Sequence, residues 1–162
     1  MAALKYWVWL ATLPGLGTRT RLQLLEHFDS PEDIYYADEG ELLLTTDITK
    51  AQAALLADKS LERTEQVLAD CARDGQFVLT MGDSLYPNRL RTIFDPPILL
   101  YGKGALPMFD DEVAVTVVGT RSCTPYGVRA ASQLGYELSK QGALLVSGMA
   151  KGIDGAAMRG AL

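Results

Sequence analysis

Val113-Ala114-Val115-Thr116-Val117-Val118-Gly119-Thr120-Arg121-Ser122-Cys123-Thr124-Pro125-Tyr126-Gly127 is the stretch whose reading decides the fold. Its first six residues are small or β-branched and, apart from Thr116, apolar on both faces, the composition of a parallel strand covered from two sides. Gly119 at the carboxyl end of that strand lets a ligand approach the backbone. Thr124 is placed to cap a helix whose first turn holds Pro125. That helix is predicted over 125–141, with Val128, Ala131, Leu134 and Leu138 along one stripe and Gly142 as its stop. Ala143-Leu144-Leu145-Val146 is the next strand, and a further helix begins at Gly152. Strand, helix, strand, helix is the pattern of a doubly wound α/β fold.

Two loops in this part carry chemistry. In the first, Gly119, Thr120, Arg121 and Ser122 precede a helix N-terminus, which offers free N–H groups and partial positive charge to an anion. Arg121 adds a planar, bidentate phosphate donor. The competing reading is an arginine paired with a local carboxylate beside an ordinary turn. The second loop, Ser147-Gly148-Met149-Ala150-Lys151-Gly152-Ile153-Asp154, repeats the design with Ser147, Gly148, Lys151 and Gly152 as its candidate phosphate-binding residues. Loops from successive parallel strands open on one edge of a sheet, so Arg121 and Lys151 are expected to face one groove. Asp154 reads as a helix cap or as a partner orienting Lys151, not as a catalytic acid. The pattern is not Gly-x-Gly-x-x-Gly, so the dinucleotide fingerprint is absent.

Upstream, Phe77-Val78-Leu79-Thr80 and Ile98-Leu99-Leu100-Tyr101 are short strands, the second entered through Asp95-Pro96-Pro97. Residues 1–75 read as a domain of short helices and 76–162 as a Rossmann-like parallel-sheet domain that is incomplete, since the chain stops after two strands and a helix start. In the helical part, Leu22, Leu25 and Phe28 share one face, with Leu24 beside them, and Ser30-Pro31-Glu32-Asp33 is a helix start. Leu13-Pro14-Gly15-Leu16-Gly17 reads as a structural hairpin or a docking surface for another protein, with DNA-phosphate binding as the alternative.

The charge is uneven. Residues 1–75 hold 7 Lys and Arg against 13 Asp and Glu, whereas residues 102–162 hold 6 against 5. The net charge of −5 is therefore no obstacle to a local basic site in the last part. At 48% hydrophobic and 22% charged residues the composition is that of a globular protein, which excludes wholesale disorder. The longest nearly apolar run, Tyr6 to Leu13, is far short of the roughly 20 residues a spanning helix needs, and it lacks a signal-peptide cleavage pattern. No membrane association is expected. Cys71 and Cys123 make no disulfide framework or metal-ligand spacing, and the chain reads as cytoplasmic. The sole histidine, His27, has no triad partners, and nothing in the chain calls for a metal or another cofactor.

Val117-Val118-Gly119-Thr120-Arg121 with Tyr126-Gly127, and then Val146 to Asp154, closely resemble the DNA-processing protein A family (DprA, also called Smf). Tyr86-Pro87 with Leu90, and Asp95-Pro96-Pro97 to Tyr101-Gly102, look like that family's lead-in to its Rossmann-like domain. The resemblance is specific over residues 83–162 and looser over 1–75, where the family has a helical domain of sterile-alpha-motif or helix-hairpin-helix type. It implies a non-enzymatic, cytosolic protein of natural transformation that binds incoming single-stranded DNA, acts as a homodimer and loads the RecA recombinase. Arg121 then matches the family's DNA-contacting arginine and Lys151 its second basic position. Met158 stands where the family usually has histidine. The alternatives are a nucleotide-processing enzyme resembling the LOG phosphoribohydrolases and a protein-docking module using the acidic helices.

Overall fold

The structure, a computed structural model, describes residues 2–45 and 47–162. The chain forms two compact units, one running to Leu106 and the other from Pro107 to Leu162.

The first unit begins with α1 (Ala2–Thr12), followed by α2 (Thr18–His27), α3 (Pro31–Tyr36), α4 (Glu39–Leu43), α5 (Lys50–Leu56) and α6 (Glu62–Arg73). The apolar run Tyr6–Leu13 falls mostly within α1 and supplies the centre of the core: Val8, Trp9 and Leu10 are buried beside Leu24, Ile34, Leu42 and Leu56. The Trp9 indole donates to the Asp58 carbonyl at 3.0 Å, so its one polar atom is satisfied. Turns between the helices are set by local caps. Ser30 accepts from the Asp33 N–H, and Asp38–Glu41 and Thr49–Gln52 form reciprocal capping boxes. The carbonyls left open at the end of α1 are met by Arg21, whose Nε and Nη2 donate to Leu10 O at 2.8 Å and Leu13 O at 2.9 Å. Burial lowers the Arg21 pKa, and these two bonds compensate the desolvated charge. In α2 the residue at the core is Leu24, while Leu22, Leu25 and Phe28 pack partly buried around it.

β1 (Gln76–Thr80) and β2 (Leu99–Lys103), joined through α7 (Asn88–Arg91), belong to this same unit. They pair antiparallel, with Val78 opposite Tyr101, in a two-stranded sheet of their own. The sequence reading grouped them with the parallel sheet downstream. They pack instead on the helices, with Leu99 and Ile98 in the helical core. The long connection between them is pinned by Asp83, which accepts from Thr80 N–H and Thr80 Oγ1 at 2.7 Å, and by Arg91 on the carbonyls of Met81 and Asp83.

The second unit holds β3 (Ala114–Thr116), α8 (Pro125–Lys140), β4 (Leu144–Val146) and α9 (Ile153–Ala161). β3 and β4 are parallel, with Val115 opposite Leu145. This is the strand–helix–strand–helix order expected from the sequence, an α/β fold with a partial Rossmann-like sheet. The helices α8 and α9 cross closely because they meet through small residues. A Cβ on Gly135 would lie 2.0 Å from the Ala157 carbonyl, and one on Gly160 would lie 1.9 Å from that of Ser132. The buried apolar residues are Val117, Ala131, Ala156 and Ala157, with Met158 partly buried. No helix among the described residues is long and apolar enough to cross a membrane.

Candidate nucleic-acid interface

The site is built on the carboxyl ends of β3 and β4. Val117 N–H donates to the Val146 carbonyl at 2.9 Å, continuing the parallel ladder to where both loops leave the sheet. Thr124 caps α8 as its sequence position predicts, its Oγ1 accepting from Gly127 N–H at 3.1 Å behind Pro125 at the first turn. In the first loop the Thr120 hydroxyl accepts from the Ser122 N–H at 3.1 Å and closes a tight turn around Arg121. In the second, Ser147 Oγ accepts from Met149 N–H at 3.3 Å, and Met149 takes a left-handed conformation with φ 52°.

The two loops are joined to each other. Gly119 N–H donates to Asp154 Oδ1 at 2.9 Å, and Ile153 N–H donates to the Thr120 carbonyl at 3.2 Å. Gly152, at φ 105°, passes so close to the first loop that a Cβ there would sit 2.3 Å from the Thr120 carbonyl oxygen. Gly119 has the same constraint from the other side: a Cβ would meet that of Ile153 at 2.6 Å. Both positions therefore require glycine.

All eight sequence-predicted residues lie on these two joined loops. Gly119, Thr120, Arg121, Ser122, Gly148 and Lys151 are exposed, while Ser147 and Gly152 are half-buried. Neither Arg121 nor Lys151 is in an ion pair among the described residues, so the reading of Arg121 as a partner for a local carboxylate finds no support. The arrangement presents two exposed cations on joined loops at the carboxyl ends of parallel strands, a geometry suited to phosphates.

Asp154 differs from expectation. It is buried at 6% exposure in the first turn of α9, whose N-cap is Gly152 without a side-chain cap, and its carboxylate serves Gly119 rather than Lys151. Tyr126, 74% exposed in the first turn of α8, is a further candidate, marked in the sequence only by its place after Pro125. An exposed aromatic ring of this kind offers a face on which a base can stack. Cys123 is a half-buried free thiol in the same loop. In the first unit, Leu13 and Leu16 of the Gly-rich hairpin are buried and Gly15 has φ 78°, which fits the structural reading of that motif.

The sequence pattern of the DNA recombination-mediator protein A family matches residues 77–162, more than half of the chain. The chain belongs to this family. It is 36% identical over 90 residues to DNA processing protein DprA of Bacillus subtilis, a match covering 56% of this chain and 30% of that protein. It is 29% identical over 153 residues to Protein Smf of Synechocystis, covering 92% and 38%. The X-ray structure of DNA processing protein A from Streptococcus pneumoniae superimposes with a TM-score of 0.68 at 27% identity, over 97% of this chain and 53% of that one. That match reaches residues of both units, and the chain spans about a third of the length of the curated relatives it matches.

Proposed function

We propose that the chain contributes a single-stranded DNA-binding surface to a recombination mediator of natural transformation. The observation that carries this reading is the joining of the Arg121 and Lys151 loops by the Gly119–Asp154 and Ile153–Thr120 bonds. Each cation grips one backbone phosphate, and Tyr126 stacks on a neighbouring base. Such a site takes any sequence, because it addresses phosphates and ring faces rather than base edges. The family context extends the proposal: the protein works in the cytoplasm by binding rather than by catalysis, as a homodimer, and passes its DNA to the RecA recombinase.

A groove without a recognition helix favours a flexible single strand over a duplex. The test is titration of a fluorescent oligo-dT and of a blunt duplex of equal length. Tighter binding of oligo-dT is expected, and equal affinity for the duplex contradicts the proposal.

A further inference from the structure

A buried carboxylate beside an anion site is costly on electrostatic grounds alone. It disfavours a bound phosphate through space and must itself be desolvated. Asp154 is such a group. One of its oxygens takes the Gly119 N–H at 2.9 Å, and the other lies 3.6 Å from where a Gly148 Cβ would be, so the carboxylate is wedged between the two loops. Around it, the Ile153 N–H to Thr120 carbonyl bond and the close pass of Gly152 fix the same pair of loops. Within the second loop, Gly155 N–H donates to Ala150 O and Ala156 N–H to Gly152 O, both at 3.0 Å, which holds Asp154 rigidly on the helix that follows.

Resting on the phosphate reading above, we infer that Asp154 is a positioning residue that locks the two loops in register, so that Arg121 and Lys151 engage adjacent phosphates as one unit. Its role is geometric, carried by its acceptor oxygens; its charge works against the ligand. A bond between residues 35 positions apart on two separate loops sets the spacing of the cations, and no bond within either loop does this. When two contacts share one rigid frame, losing either loosens the other, so their effects are non-additive. In the wild type, the Arg121→Ala, Lys151→Ala double variant should lose less affinity than the product of the single losses. Without the lock each cation acts alone and the losses multiply.

The experiment is a double-mutant cycle of Arg121 and Lys151 on oligo-dT in the full chain, repeated with Asp154→Ala, Asp154→Asn and Asp154→Glu. Asp154→Ala is expected to weaken binding on the order of 10-fold and to abolish the coupling. Asp154→Asn keeps an oxygen for the Gly119 N–H and removes the charge, so it should retain the coupling with affinity at or above wild type. Asp154→Glu keeps the charge but is one methylene longer, and should lose the coupling. A purely electrostatic role would instead raise affinity in Asp154→Ala and Asp154→Asn alike, and leave the coupling unchanged in all three variants. A folded Asp154→Ala variant with wild-type affinity and coupling overturns the inference. If that variant does not fold, equal coupling in the Asn and Glu variants overturns it. An Arg121→Ala change without effect in the otherwise wild-type chain would instead remove the phosphate reading itself.

Discussion

The two units solve the problem of burial differently. The first encloses large side chains: Trp9, Leu10, Leu24, Ile34, Leu42 and Leu56 are all essentially inaccessible, and its helix ends are closed by caps and by Arg21. The second buries mainly alanines and one valine, and it leaves Val113 and Val118 more than 70% exposed. Its order comes from close backbone approach through glycine and from bonds between loops. A core of large apolar groups tolerates surface change, since stability is spread over many contacts. A unit held by a few close approaches is sensitive at each of them, and the proposed function rests on the same contacts.

Breaking the first unit calls for a cavity. Trp9→Ala removes its largest fully buried side chain together with the indole bond to Asp58, and should cost about 3–5 kcal/mol in denaturant unfolding. Affinity for oligo-dT, measured where the variant is still folded, should change little, because the cations lie in the other unit. A large loss of affinity at full folding would erase the distinction between the units. The second unit is broken by addition instead. Gly135→Ala drives a methyl group into the Ala157 carbonyl and should destabilise by about 1–3 kcal/mol. It should also lower DNA affinity, since α8 and α9 carry the two loops. A stable Gly135→Ala variant with unchanged binding would show that the close crossing is not what orders the site.

Legibility in the sequence follows the range of the interaction. Ser30 and Thr124 act within a few residues of themselves, and the helix starts they mark are found where the sequence puts them. The paired loops are legible because each follows a strand and opens a helix, a local pattern repeated. The run that forms α1 has no helical period, since residues on most of its faces are buried, and it reads only as an apolar stretch. The pairing of β1 with β2 depends on a connection of eighteen residues whose path is fixed by Asp83 and Arg91, which no periodicity reveals. The part of Asp154 in the site was equally hidden. Its spacing from Lys151 suggests a local partner, and only the fold brings it to Gly119.

The central claim is that Arg121 and Lys151 hold phosphates together on one edge of the second unit, and the salt dependence of oligo-dT binding tests it most directly. On single strands each phosphate contact contributes roughly 0.7 to the slope of log affinity against log salt. Arg121→Ala should lower the slope by at least that amount, since the Lys151 contact loosens with it, and weaken binding roughly 10- to 150-fold, the range for a charge-assisted bond. Lys151→Ala should cost less, because an ammonium is a point charge where the guanidinium makes two directed bonds, and Arg121→Lys should recover only part of the loss. The double variant should lie near background with its slope reduced by roughly 1.4, two phosphate contacts' worth. Unchanged affinity and slope in a folded Arg121→Ala, Lys151→Ala chain would contradict the account.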